Sequence, residues 1–269
     1  MTTPLIRLSQ QLQSGVMLIA IGFMFVTSPS KALGNQEWQE LKSQHFIVMY
    51  SGDQAFAEKF ANRAEQYYQQ ITTDLGFTRF KDFWLWDHRA RIVIYPSVAE
   101  FRSASKAPSW AIGRASVSRH EIAGSRDDSE HFLSNVLPHE MSHLILAEFI
   151  GADRLPHWLS EGVAQWEQAG NKANISVHFR LNYIPLEKLF VLDIRKEQNT
   201  AYAMLFYAEC ASLVGYLINQ YGSESFGRLC RALREGKSTT DAISSAYPDT
   251  DGSIAKLEAA WLKSQKTSK

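Results

Sequence analysis

Residues 138–167 read PHEMSHLILAEFIGADRLPHWLSEGVAQWE. His139, Glu140 and His143 form an HExxH pattern. Residues four apart stand one above the other on a helix face, so both imidazoles reach a single ion. Glu140 is offset by about 100° from His139 and leans beside that ion, where a base that takes a proton from water must stand. Val136, Leu137, Leu144, Ile145 and Phe149 make the surroundings apolar, which buries the helix and keeps one side of the site poorly hydrated. Pro138 removes a backbone donor within this stretch, so a kink or a fresh helix start is expected just ahead of His139.

A tetrahedral catalytic zinc site takes three protein ligands and leaves one position open. Glu161, in LPHWLSEGVAQWE, is the favoured third ligand. Pro156 is placed to start a second helix, Gly151-Ala152-Asp153 lets the chain turn back, and Gly162 permits close helix–helix approach. His157, four residues before Glu161, shares its face and reads as a substitute ligand, a support for a ligand or a substrate contact. Glu167 lies roughly 240° round the helix from Glu161 and points elsewhere, as a solvated residue or one that orients a ligand from behind. His45, His88, His120, His131 and His178 stand singly, without ligand spacing, and read as structural or surface residues.

Outside this stretch the pattern divides. HFIVMY (His45 to Tyr50) and RIVIYP (Arg91 to Pro96) read as strands. Phe56, Phe60, Ala64, Tyr67 and Ile71 recur at helical spacing between Asp53 and Leu75, and VAEFRSA reads as a short helix. WAIGRASVSRHEIAG carries two strand-like pieces, a candidate hairpin, and everything from Asp128 onward is mostly helical. Strands first and helices afterwards imply an α+β fold: a mixed sheet in residues 33–127, then active-site helices and a helical lobe in residues 128–269, with a cleft between them as the expected site.

The N-terminal 32 residues read as a signal peptide. Arg7 precedes the apolar run VMLIAIGFMFV (Val16 to Val26), Pro29 closes it, and Ser30-Lys31-Ala32 places small residues where a signal peptidase reads. Export to a periplasmic or extracellular compartment is expected, with residues 16–26 as a membrane anchor if cleavage fails. Formal net charge is zero over 269 residues, so no polyanion partner such as nucleic acid is indicated. Cys210 and Cys230 both lie in apolar helical patterns, and two buried thiols and one disulfide are equally compatible with that.

PHEMSHLIL followed by LPHWLSEGVAQWE resembles the bacterial peptidase MA-like metallohydrolases, a branch of the gluzincins. HFIVMY, SWAIGRAS, FYAECASLVGYLINQYG and LEAAWLKS resemble, in order, that family's opening strand, the segment before the motif helix, the long helix after it and a closing Glu-x-x-Trp element. The resemblance implies a zincin fold, with one zinc held by His139, His143 and Glu161 and with Glu140 as general base and proton shuttle. It implies hydrolysis of a peptide or protein substrate laid along an edge strand within Gly113 to Ile122. On the following helix, Tyr207 in AMLFYAEC is the candidate to help hold an oxyanion, with Tyr202 as a substitute; the competing reading is a buried helix aromatic. Pro138 and His157 depart from the family pattern. The alternatives are a catalytically silent binding protein on the same scaffold, or a metallohydrolase of another amide. Nothing in the sequence speaks to oligomeric state.

Overall fold

A computed structural model describes residues 37–77, 83–107, 111–127, 129–168, 183–250 and 252–267. The proposed signal segment and His178 lie outside the described residues. Five strands, β1 (Gln39–Lys42), β2 (Phe46–Tyr50), β3 (Ala90–Tyr95), β4 (Gly113–Ser116) and β5 (Glu121–Ser125), form one sheet in the order β1-β2-β3-β5-β4. The central pairs β2–β3 and β3–β5 are parallel, and the outer pairs β1–β2 and β4–β5 antiparallel. β1 carries no signal in the sequence. Three of its four residues are exposed, so no alternation of apolar and polar side chains marks it.

Side-chain alternation gives the sheet two faces. Phe46, Val48, Ile92, Ile94 and Ile122 enter the main core, whereas Val93, Tyr95 and Ala123 pack with Phe101 in a smaller cluster. Helix α1 (Gln54–Asp74) covers the first face, burying Ala57, Phe60, Ala64, Tyr68 and Ile71 at three- and four-residue spacing. Asp53 caps it by accepting from the Ala55 and Phe56 amides. Helix α2 (Val98–Ser105) supplies Phe101 to the second face.

The remaining elements are helical. The chain enters α3 (Leu137–Ile150) through Ser129–His131 and a π-helical segment, Phe132–Val136. Then follow α4 (His157–Gln168), α5 (Leu186–Leu189), α6 (Thr200–Arg234), α7 (Thr239–Ala246) and α8 (Ile254–Thr267). The result is an α+β fold of zincin type, with a small mixed sheet and a mostly helical C-terminal region. The long helix α6 breaks at Gly222, whose φ of 80° is left-handed.

Pro138 lies in the first turn of α3, as a fresh helix start ahead of His139 requires, and the π-helical turn Phe132–Val136 leads into it without a break. The Leu137 amide donates to the Phe132 carbonyl, five residues back, and this wider turn accommodates a proline that has no N–H of its own. The same segment sits directly on the β4–β5 hairpin at two glycines that face each other in register, Gly113 and Gly124. A Cβ on Gly124 would lie 1.9 Å from Phe132 Cε2, and one on Gly113 2.3 Å from Val136 Cγ1. Only glycine lets Phe132 and Val136 come so near. One turn further along the helix stands Glu140.

Candidate metal centre

α3 and α4 meet at the site. His139, His143 and Glu161 each offer one donor atom, all within 4.8 Å of one another, and each residue is at most 2% exposed. The two imidazoles come from adjacent turns of α3, with their Nε2 atoms 3.3 Å apart. Two nitrogens each about 2.0–2.1 Å from one tetrahedral zinc would stand about 3.3 Å apart, so this spacing is that of co-ligands. Glu161 Oε2 lies 4.0 Å from His143 Nε2 and is buried without a hydrogen-bond partner. His157 is not part of this cluster.

α4 reaches the site because α6 lets it. A Cβ on Gly162 would fall 2.7 Å from the Cys210 carbonyl oxygen and 2.8 Å from Val214 Cγ2, so α4 and α6 touch at backbone distance beside Glu161. Cys210 and Cys230 are both buried and unpaired, and burial pushes both thiols up.

Behind the imidazoles stand polar groups absent from the sequence reading. His143 Nδ1 and Ser160 Oγ are 2.7 Å apart, an interaction that fixes the ring with Nε2 toward the site. His139 Nδ1 and Gln168 Oε1 are both buried without a hydrogen-bond partner, and Gln168 lies close enough to raise the pKa of His139. Gln168 was findable: it lies seven residues after Glu161, within about 20° of it on the helix.

Glu140 is wholly buried. Its Oε2 accepts from the Ala115 amide of β4 at 2.7 Å, while Oε1 has no partner. β4 lies at the edge of the sheet, so the structure ties the acid of the motif to an edge strand. The rest of the expected edge segment does not qualify. Glu121 and Ile122 belong to β5, which is paired on both sides, so the edge is confined to Gly113–Ser116.

Burial dominates the electrostatics. It pushes Glu140 up to about 8 against the Ala115 amide and Arg114. It pushes Glu161 likewise to about 8, helped by Glu140 and opposed by Arg195. Burial takes His139 down to about 4 and, together with His139 and His157, takes His143 well below its ordinary value. Neutral imidazoles present free lone pairs, and burial favours the protonated form of both carboxylates beside them over the influence of Arg114 and Arg195. A divalent ion reverses this preference for neutral forms and satisfies the orphaned Glu161 oxygen, so the donor set fits a metal.

Tyr207, on α6, is largely buried beside the site; burial and then Glu161 raise its hydroxyl. Tyr202 packs under Lys188, whose Nζ is 5.2 Å from the ring centroid. Glu167 is not the solvated residue expected. It is 1% exposed and accepts from Gln70 Nε2 of α1 at 3.1 Å. His45 is structural, donating from Nδ1 to Glu65 Oε2 and stacking on Tyr68.

The sequence model of the peptidase MA superfamily matches residues 88–266, which span β3 to α8 and contain His139, Glu140, His143 and Glu161. This chain belongs to that superfamily. Membership carries a metallopeptidase kind of function, generally metal-dependent, with peptide or protein substrates. No curated protein matches the chain.

Proposed function

We propose that this chain is an exported zinc-dependent metallopeptidase of gluzincin type, with His139, His143 and Glu161 as ligands of one zinc and Glu140 as general base. The observation that carries the reading is the state of Glu140: one oxygen is held by the Ala115 amide and the other is left without a partner beside the three donors. Bound there, zinc supplies Lewis acidity and lowers the pKa of a water toward about 7.

The chain's own residues account for the remaining steps. The Ala115 N–H pins Glu140 Oε2, so the proton taken from the attacking water is received at Oε1 and later returned to the leaving amine. Ser160 holds His143 in orientation. β4, at the sheet edge, offers Gly113–Ser116 for pairing with an extended substrate. Tyr207, adjacent to Glu161, is a donor for the substrate oxygen as charge builds on it. The pattern of residues 1–32 is what supports export, to the periplasm or outside the cell.

A binding scaffold has no use for a base, and this separates the two readings. Residues 33–269 loaded with zinc are expected to cleave a mixed peptide pool, with products identified by mass spectrometry. Glu140→Gln should keep its zinc and lose about 10²–10⁴-fold in kcat. A Gln variant as active as wild type would remove Glu140 from the chemistry.

A further inference from the structure

His157 is the polar group that the reading above leaves unused. Both of its ring nitrogens are buried, and neither makes a hydrogen bond to another residue; the one polar group near enough to act on the ring in that way is its own backbone. Burying an imidazole in that condition is unfavourable, and a structural role at this position would suit phenylalanine or leucine better. Its location gives the group a use. His157 stands one turn before Glu161 on the same face of α4. Its ring packs 6.4 Å from Phe206, the neighbour of Tyr207 on α6. It is close enough to His143 to disfavour protonation there.

The charged groups around it come from the turn before α6. Arg195 donates to both oxygens of Asp193, at 2.7 and 3.0 Å, in the segment Ile194–Lys196 and its cap. Burial and then Arg195 push His157 down from its ordinary value, against Asp193. The ring is therefore neutral near pH 7, with one N–H to give and one bare nitrogen.

We propose that His157 touches the substrate, donating its ring N–H to the carbonyl oxygen of the bond to be cleaved, beside Glu161 and together with Tyr207. This rests on the metallopeptidase reading and adds a residue of this chain's own to it. A neutral donor suits that task, because it strengthens its bond as the oxygen gains charge without bringing a second cation against the metal.

The test compares wild type with His157→Phe, His157→Ala and His157→Gln, each loaded with cobalt(II). Metal stoichiometry, thermal midpoint and visible-band titration with acetohydroxamate are read beside peptide turnover. All four proteins should carry one metal. The Phe variant should melt higher than wild type, because the orphaned nitrogens are gone. Phe and Ala should bind acetohydroxamate about tenfold more weakly and lose about 10²-fold in kcat with little change in KM. Gln, which keeps an N–H, should recover most of both. Donor-free variants within twofold of wild type in affinity and kcat would overturn the contact. Loss of metal from them would also overturn it, by making His157 a support for the ligands. Wild type that takes up neither cobalt nor zinc would overturn the metallopeptidase reading itself, and this role with it.

Discussion

Glu161 and Glu209 are both buried glutamates that burial pushes up to about 8, yet their surroundings differ in kind. Glu209, on α6, accepts the Ile184 amide with both oxygens at 3.0 Å. Close by, Glu258 of α8 accepts the Leu186 amide and the Tyr183 hydroxyl, so two carboxylates fasten the chain where it enters α5. At the metal centre, Glu161 Oε2 and Glu140 Oε1 have no such partner, and Gln168 stands near enough to His139 to raise its pKa without a well-formed bond to Nδ1. Equal burial therefore serves two ends. Satisfied carboxylates hold a segment in place, and unsatisfied ones await something that is not protein.

Breaking the unsatisfied site should have the larger effect. Glu161→Ala is expected to take zinc from about one ion per chain to near none, read by mass spectrometry on residues 33–269, since two imidazoles alone do not complete a closed ligand set. Retention of a full equivalent of zinc would remove Glu161 from the ligands. A second consequence concerns protons. Burial keeps Glu161 protonated below about 8, so an incoming ion must displace that proton. Zinc affinity should then rise from pH 6 to about 8, by about tenfold per pH unit for one proton released. Calorimetry in buffers of different ionisation enthalpy counts the proton; a count of zero would mean that the carboxylate is already ionised in the apo protein.

A smaller effect sharpens the comparison from within the site. Ser160 supports His143 through Nδ1. Ser160→Ala should weaken zinc about 10–100-fold while leaving the fold intact, as measured by competition with a chelator. An unchanged affinity would show that packing alone orients the ring.

The parts legible in the sequence were those set by spacing along one element. The i,i+4 histidines, Glu161 on a helix begun by Pro156, and Gly162 at the α4–α6 contact all follow from helical periodicity, and the structure brings these residues together. What escaped depends on partners distant in the chain. Glu167 was misread because no local pattern connects it to Gln70, the distant residue on α1 that donates to it. The Ala115 amide that holds Glu140 comes from a strand whose pairing register, through Gly113 and Gly124, also admits Phe132 and Val136. β1 escaped because an exposed edge strand has no buried face to impose alternation. The fresh helix start expected at Pro138 is there, but the π turn that leads into it carries no signal in the local pattern.

The satisfied site gives the smallest effect and the cleanest sign. Burial, with Glu258 adding to it and the Ile184 amide opposing it, raises the folded pKa of Glu209 from 4.5 to about 8. A raised carboxyl binds a proton in the folded state that the unfolded chain has already released. Its contribution to stability is thus complete below about 4.5 and is lost as pH climbs through about 8. Glu209→Gln keeps one acceptor for Ile184 and cannot ionise. In zinc-loaded protein, where Glu161 stays ionised, urea unfolding between pH 5 and 8.5 should show wild type losing stability with a slope approaching ~1.4 kcal/mol per pH unit from this one group. The Gln variant should lack that component, with zinc content and turnover at wild-type levels. Identical slopes in the two proteins would mean that the Ile184 amide alone holds Glu209 ionised, and that the anchor at α5 is a charged one.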